Sequence, residues 1–205
     1  MPDNSITTVI FDMDDVLCDY DREARIAHMA RTTGLRAEDI VAAIWGSGFD
    51  DRADEGAFTP DDYLSETQRL LGVQISAQDW AAARKASITP RPAVLEMAHR
   101  AGERAQLAAF TNNGPLMRSM IGDIFPDALA LFGEQLFFSC DIGIAKPAPE
   151  AYLQVLERLG AEPHRTLFID DNEGYIRGAA EAGLHVHRYT NADALVHQLR
   201  TFGLL

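Results

Sequence analysis

Cysteine is scarce, basic residues are outnumbered and long apolar runs are missing. The only cysteines in 205 residues are Cys18 and Cys140, with no C-x-x-C spacing, which excludes a disulfide framework or a thiolate metal site as the basis of the fold. Against 31 Asp and Glu stand 18 Lys and Arg, a net charge of −13. Nucleic acid and anionic membrane are therefore not expected as partners, since both need a basic surface to neutralise phosphate. No stretch approaches the ~20 apolar residues that span a bilayer, and the opening MPDNSITTVIF lacks the basic-then-apolar pattern of a secretion signal. A reducing, cytoplasmic setting is expected. What the chain does have is 47% hydrophobic and 24% charged residues, enough to bury a core in one domain carrying a large insertion.

Thr8–Leu17, TVIFDMDDVL, is a β-branched apolar run that stops at two carboxylates one residue apart. Such a run is built for burial in a sheet, and Asp12 and Asp14 leave it at the carboxyl end, where open α/β sheets place their ligands. Converging carboxylates repel unless a cation lies between them or one holds a proton. The pair is a metal site, or a nucleophile with an acid beside it. A plainer alternative is that Asp12, Asp14 and Asp15 merely end a strand and cap a helix. It loses ground because Leu167-Phe168-Ile169 runs into Asp170 and Asp171 in the same way. On adjacent parallel strands both acidic ends share one sheet edge, and four carboxylates there call for a divalent cation.

Two further segments complete the set. LAAFTNNG, Leu107–Gly114, delivers Thr111 and Asn112 just before a helix start; a hydroxyl, an amide and backbone N–H groups suit phosphate oxygens, and suit helix capping equally. In GIAKPAPEAY, Gly143–Tyr152, Lys146 stands beside Pro147 and Pro149. An ammonium fixed there can neutralise phosphate and carboxylate together, whereas a lone loop lysine is ordinarily just solvated. His185 and His187 alternate onto a late strand and read as packing rather than metal ligands.

After a strand near Thr7–Asp12, apolar residues recur at helical spacing over Arg22–Thr33, Ala37–Trp45, Pro60–Leu71 and Ala77–Ser87. The acidic segment Asp50–Glu55 between them reads as a connecting loop. From Pro92 onward helices at Pro92–Arg100, Pro115–Gly122, Pro149–Leu159, Glu173–Ala182 and Ala192–Thr201 alternate with strands at Gln106–Thr111, Gln135–Ser139, Thr166–Asp170 and His185–Arg188. That alternation predicts a doubly wound α/β fold, a parallel sheet with helices on both faces.

In this order the four segments resemble the haloacid dehalogenase-like (HAD) superfamily, over essentially the whole chain. The resemblance implies a Rossmann-like α/β core at 1–15 and 88–205 with an inserted α-helical cap at 16–87. It implies Asp12 as nucleophile, Asp14 as general acid/base, Thr111 and Lys146 as catalytic partners, and Thr111, Asn112 and Lys146 as substrate-binding groups. Mg²⁺ would be held by Asp12, Asp170, Asp171 and the backbone carbonyl of Asp14. The implied activity is Mg²⁺-dependent hydrolysis of a small phosphate monoester, a sugar phosphate or similar phosphorylated metabolite, through an aspartyl-phosphate. A phosphomutase shares all these residues, and a dehalogenase attacks carbon and needs no second acid. A phospho-receiver carries its acidic pair before the acceptor Asp, the reverse of the order here, and an inactive binding protein has little reason to keep every catalytic side chain. Asp15 stands where the family usually has Gly, at a turn Asp tolerates. Tyr20, Trp45, Phe49, Arg52 and Glu55 are candidates for substrate recognition from the cap. Nothing in the sequence sets the oligomeric state.

Overall fold

In a computed structural model of the protein, which describes residues 5–205, seven strands organise the chain: β1 (Thr8–Phe11), β2 (Cys18–Tyr20), β3 (Ile88–Pro90), β4 (Gln106–Thr111), β5 (Leu136–Phe138), β6 (Thr166–Asp170) and β7 (His185–Arg188). The first four residues of the expected 1–15 segment lie outside the described residues. Five strands form a parallel sheet in the order β5-β4-β1-β6-β7. β1 is central because all four of its residues are apolar or β-branched and buried, a composition suited to a strand covered on both faces.

Alternation along the strands divides the core in two. Val9, Phe11, Ala109, Leu167 and Ile169 point to one apolar cluster, completed by residues of the helices at 92–102, 126–132 and 192–201. Ile10, Ala108, Phe110 and Phe168 point to the other, closed by the helices at 149–159 and 173–181. The doubly wound architecture follows directly. No helix among the described residues is long and apolar enough to cross a membrane.

β2 and β3 form a separate antiparallel ribbon, with Cys18 paired to Pro90 and Tyr20 to Ile88. Between them run α1 (Arg22–Thr33), α2 (Ala37–Ile44), α3 (Phe49–Asp54), α4 (Pro60–Leu71) and α5 (Ala77–Ala86). The starts of α1, α4 and α5 are capped by side chains: Asp21 accepts from the Ala24 N–H at 2.9 Å, Thr59 from Asp62 at 3.2 Å and Ser76 from Asp79 at 3.0 Å. α3 corrects the expectation of a loop over Asp50–Glu55. Phe49 and Ala53 are buried, Phe49 stacks on Tyr63 with ring centres 4.7 Å apart, and Asp50 and Asp51 sit in the first turn, where the helix dipole favours negative charge. Met29, Ile40, Phe49, Tyr63 and Trp80 from these helices belong to the same apolar cluster as Val9, Phe11 and Leu116.

Candidate active site

Parallel pairing of β4, β1 and β6 brings their carboxyl ends to one edge, and with them Thr111, Asp12 and Asp170. The Asp12 N–H continues the ladder by donating to the Ile169 carbonyl at 2.8 Å. The chain then turns sharply: the Met13 carbonyl accepts from the Leu17 N–H at 2.9 Å, and Asp15 takes the left-handed conformation, φ 60°. Glycine would adopt that conformation freely; here the Asp15 carboxylate accepts from the Tyr20 N–H at 3.1 Å, a local bond of the kind that lets Asp occupy this region.

Lys146 lies at the centre, buried. Its ammonium donates to Asp12 Oδ1 at 2.8 Å, Asp170 Oδ2 at 2.8 Å and the Phe110 carbonyl at 3.1 Å. Burial pulls the Lys146 pKa down, and the Asp12 and Asp170 charges outweigh it, so the net direction is up. The backbone is clamped by Asn112, whose Oδ1 accepts from the Lys146 N–H and whose Nδ2 donates to its carbonyl, each at 2.9 Å. On the far side the helix at 173–181 passes so close that a Cβ on Gly178 would lie 2.0 Å from the Pro147 carbonyl oxygen. Asn112 lines the cavity, with its amide engaged in holding this loop.

Carboxylate oxygens of Asp12, Asp170 and Asp171 lie within 4.8 Å of one another. Burial first, then the charge of Asp170, pushes Asp12 well above the usual carboxylate range, with Lys146 opposing. Burial and Asp170 likewise raise Asp171. One ammonium is too little positive charge for three converging carboxylates, and an all-oxygen donor set fits a hard divalent cation. Asp14 is not the fourth member of this cluster. Its carboxylate turns the other way, to Arg84 Nη2 at 2.5 Å.

Sequence reasoning missed Arg84 and its neighbour Asn113. Arg84, on α5 and 2% exposed, also donates to Asn113 Oδ1 at 3.2 Å. Asn113 in turn donates to the Thr111 hydroxyl at 2.8 Å, so the inserted helices and the sheet edge are tied through Asp14. The available signal was a cation within an apolar helical stripe: Arg84 stands one turn after buried Trp80, and Arg25 one turn before buried Met29.

The site opens into a cavity of about 340 Å³, with Asp12, Asp14, Thr111, Asn112, Lys146 and Asp171 on the sheet side. Tyr20 and Trp45 line it from the insertion, as expected, together with Arg25, Asp54, Tyr63 and Trp80. Phe49, Arg52 and Glu55 do not line it. Phe49 is consumed by the aromatic stack, while Arg52 and Glu55 are exposed on the outside of α3 and at its end.

Residues 6–183 match the haloacid dehalogenase-like hydrolase family. A phosphatase of Mycobacterium tuberculosis is 30% identical, over 98% of this chain and 97% of its own length. The fold is similar to a HAD family enzyme of Bacteroides thetaiotaomicron, with a TM-score of 0.79 and 21% identity over 96% of this chain and 99% of that one. That enzyme is also known in complex with magnesium and inorganic phosphate, a structure matching at TM-score 0.75 and 22% identity over 90% and 94% of the two chains. The L-2-haloacid dehalogenase of Xanthobacter autotrophicus superposes with a TM-score of 0.60 at 22% identity, covering 98% of this chain and 84% of that one.

Proposed function

The chain belongs to the haloacid dehalogenase-like hydrolases, and from that premise we propose that it is a Mg²⁺-dependent phosphatase acting on a small phosphate monoester through an aspartyl-phosphate on Asp12. The observation that carries this reading is the buried Asp12–Lys146–Asp170 cluster, of which Asp12 and Lys146 line the cavity, with Asp14 two residues further on and facing the same space. Kinship to a phosphatase and to an enzyme crystallised with magnesium and phosphate supports it.

In this mechanism an Asp12 carboxylate oxygen attacks phosphorus, the bond from phosphorus to the ester oxygen breaks, and Asp14 gives that oxygen a proton. Water then attacks the same phosphorus, Asp14 takes back a proton, and the Asp12–phosphorus bond breaks to release phosphate. The Thr111 hydroxyl and the Lys146 ammonium stabilise the phosphoryl oxygens throughout. Asp12, Asp170, Asp171 and the Asp14 backbone carbonyl would hold Mg²⁺, which would supply further neutralisation of phosphoryl charge. The Arg84–Asp14 pair has to open for Asp14 to reach the leaving oxygen. Residues 16–87 act as a cap over a core formed by 1–15 and 88–205, and the ribbon of β2 and β3 is its stem.

Hydrolysis of p-nitrophenyl phosphate should require Mg²⁺ and vanish in Asp12→Asn, whose amide is nearly isosteric but a far poorer nucleophile. Acid quench during turnover followed by borohydride reduction should trap the acyl phosphate and convert Asp12 to homoserine in its peptide, while turnover in ¹⁸O water should label released phosphate and leave Asp12 unlabelled. Label on the Asp12 peptide would mean attack at the carboxyl carbon, and that outcome, an untrapped Asp12, or full turnover after exhaustive chelation would refute the mechanism.

A further inference from the structure

The wall of the cavity contributed by the insertion holds a cation without an anion. Arg25, on α1, is 5% exposed, and its guanidinium lies between two indoles, 5.2 Å from the Trp45 ring centre and 5.3 Å from that of Trp80. Its Nη1 donates to the Tyr20 hydroxyl at 3.3 Å, while its buried Nε has no hydrogen-bond partner. No ion pair among the described residues involves Arg25. Asp50, whose charge Arg25 feels, instead accepts a hydrogen bond from the Tyr63 hydroxyl at 3.0 Å. A buried guanidinium with a free N–H and no contact anion is costly unless something completes it.

Resting on the phosphatase reading above, we propose that the leaving group of the substrate carries a carboxylate, received by the Arg25 guanidinium where it lines the cavity. The planar fork of arginine matches a carboxylate through two parallel hydrogen bonds. Arg25 and Asp12 line the same cavity of about 340 Å³, so the ester and the carboxylate belong to one compact molecule. A second phosphate has the same two-oxygen edge. Asp50 and Asp51 line the cavity too, and they repel a dianion more strongly than a monoanion. The substrate class is therefore a small phosphorylated hydroxy acid.

Phosphoglycerate and glycerol phosphate differ by a carboxylate against a hydroxymethyl group, and glycerol bisphosphate carries a second phosphate. With Mg²⁺ present, kcat/KM should favour phosphoglycerate over the other two by roughly 10- to 100-fold, the scale of one charge-assisted pair, and Arg25→Met should bring the ratio toward unity. Arg25→Lys keeps the charge and loses the fork, so it should give an intermediate ratio and serves where the Met variant fails to fold. Free glycerate should raise the melting temperature of the metal-free wild type and not of the variants. Equal kcat/KM for the three esters, preference for the bisphosphate, or a preference unchanged in Arg25→Lys would overturn the proposal. Were no ester hydrolysed, p-nitrophenyl phosphate included, the phosphatase reading would fall. The glycerate shift would then decide the Arg25 site alone: its loss in the variants supports the site, and its absence from the wild type overturns it.

Discussion

A buried ammonium bonded to two carboxylates and a carbonyl is a fixed charge, and Lys146 is of this kind. Asp14 is held differently: it faces the cavity, and its main contact is a guanidinium brought from outside the sheet. That difference predicts how a conservative change at Asp14 acts. An alkoxide leaving group needs a proton, so Asp14→Asn should slow hydrolysis of alkyl phosphates by about 10²–10⁴-fold, the usual worth of general acid–base catalysis. A nitrophenolate leaves unaided, and its burst of product should survive while the phosphoenzyme accumulates. Equal, mild losses on both esters, seen by rapid quench, would remove Asp14 from the proton path.

At the scale of elements, the loop carrying Lys146 is positioned by contact from both sides, Asn112 on one and the helix at 173–181 on the other. Gly178→Ala would drive a methyl against the Pro147 carbonyl, backbone that has nowhere soft to move. The expected cost is about 1–3 kcal/mol of overpacking, read as a melting temperature several degrees lower, with reduced turnover as Lys146 shifts. An unchanged melting temperature would contradict the close approach.

Part of the sheet was legible in the sequence: β4, β6 and β7 begin and end at the residues expected from the strand–helix alternation. The short strands β2 and β3 were not, since three residues are too few for alternation to register and their pairing joins segments far apart in the chain. α3 was hidden by its acidic residues, and only the burial of Phe49 and Ala53 makes it a helix. The Asp residues of the sheet edge announced themselves by standing at strand ends, and Lys146 by standing beside Pro147 and Pro149 in the loop before a helix. Arg25 and Arg84 gave only the weaker sign of a cation within an apolar helical stripe, because their contacts, Tyr20 and Asp14, arrive from other elements.

For the whole molecule, one cavity-lining acid sets a pH dependence of stability. Burial, then the charge of Asp50, pushes Asp54 from 3.8 up to about 8. Between those values the folded protein keeps a proton that the unfolded chain has lost. The stability tied to that proton is complete below pH 3.8 and is lost as pH rises through about 8. Asp54→Asn titrates nothing at this position, so its melting temperature should gain steadily on the wild type across that window and hold a constant lead above it. A lead that did not vary with pH would mean that Asp54 does not titrate in this range.

The placement of β1 at the middle of the sheet bears on how the molecule is made. β1 is the first of the seven strands to be synthesised, yet its neighbours begin at Gln106 and Thr166. Thr8–Phe11, apolar on both faces, must therefore wait unpaired on the ribosome while the whole helical insertion is translated. Late, long-range closure of this kind slows folding and leaves sticky strand edges open to other chains. Dilution from denaturant should restore activity fully at low protein concentration and progressively less at high concentration, with the loss appearing as light-scattering aggregate. During synthesis a strand of this composition stays open to other chains until β4 and β6 arrive to flank it.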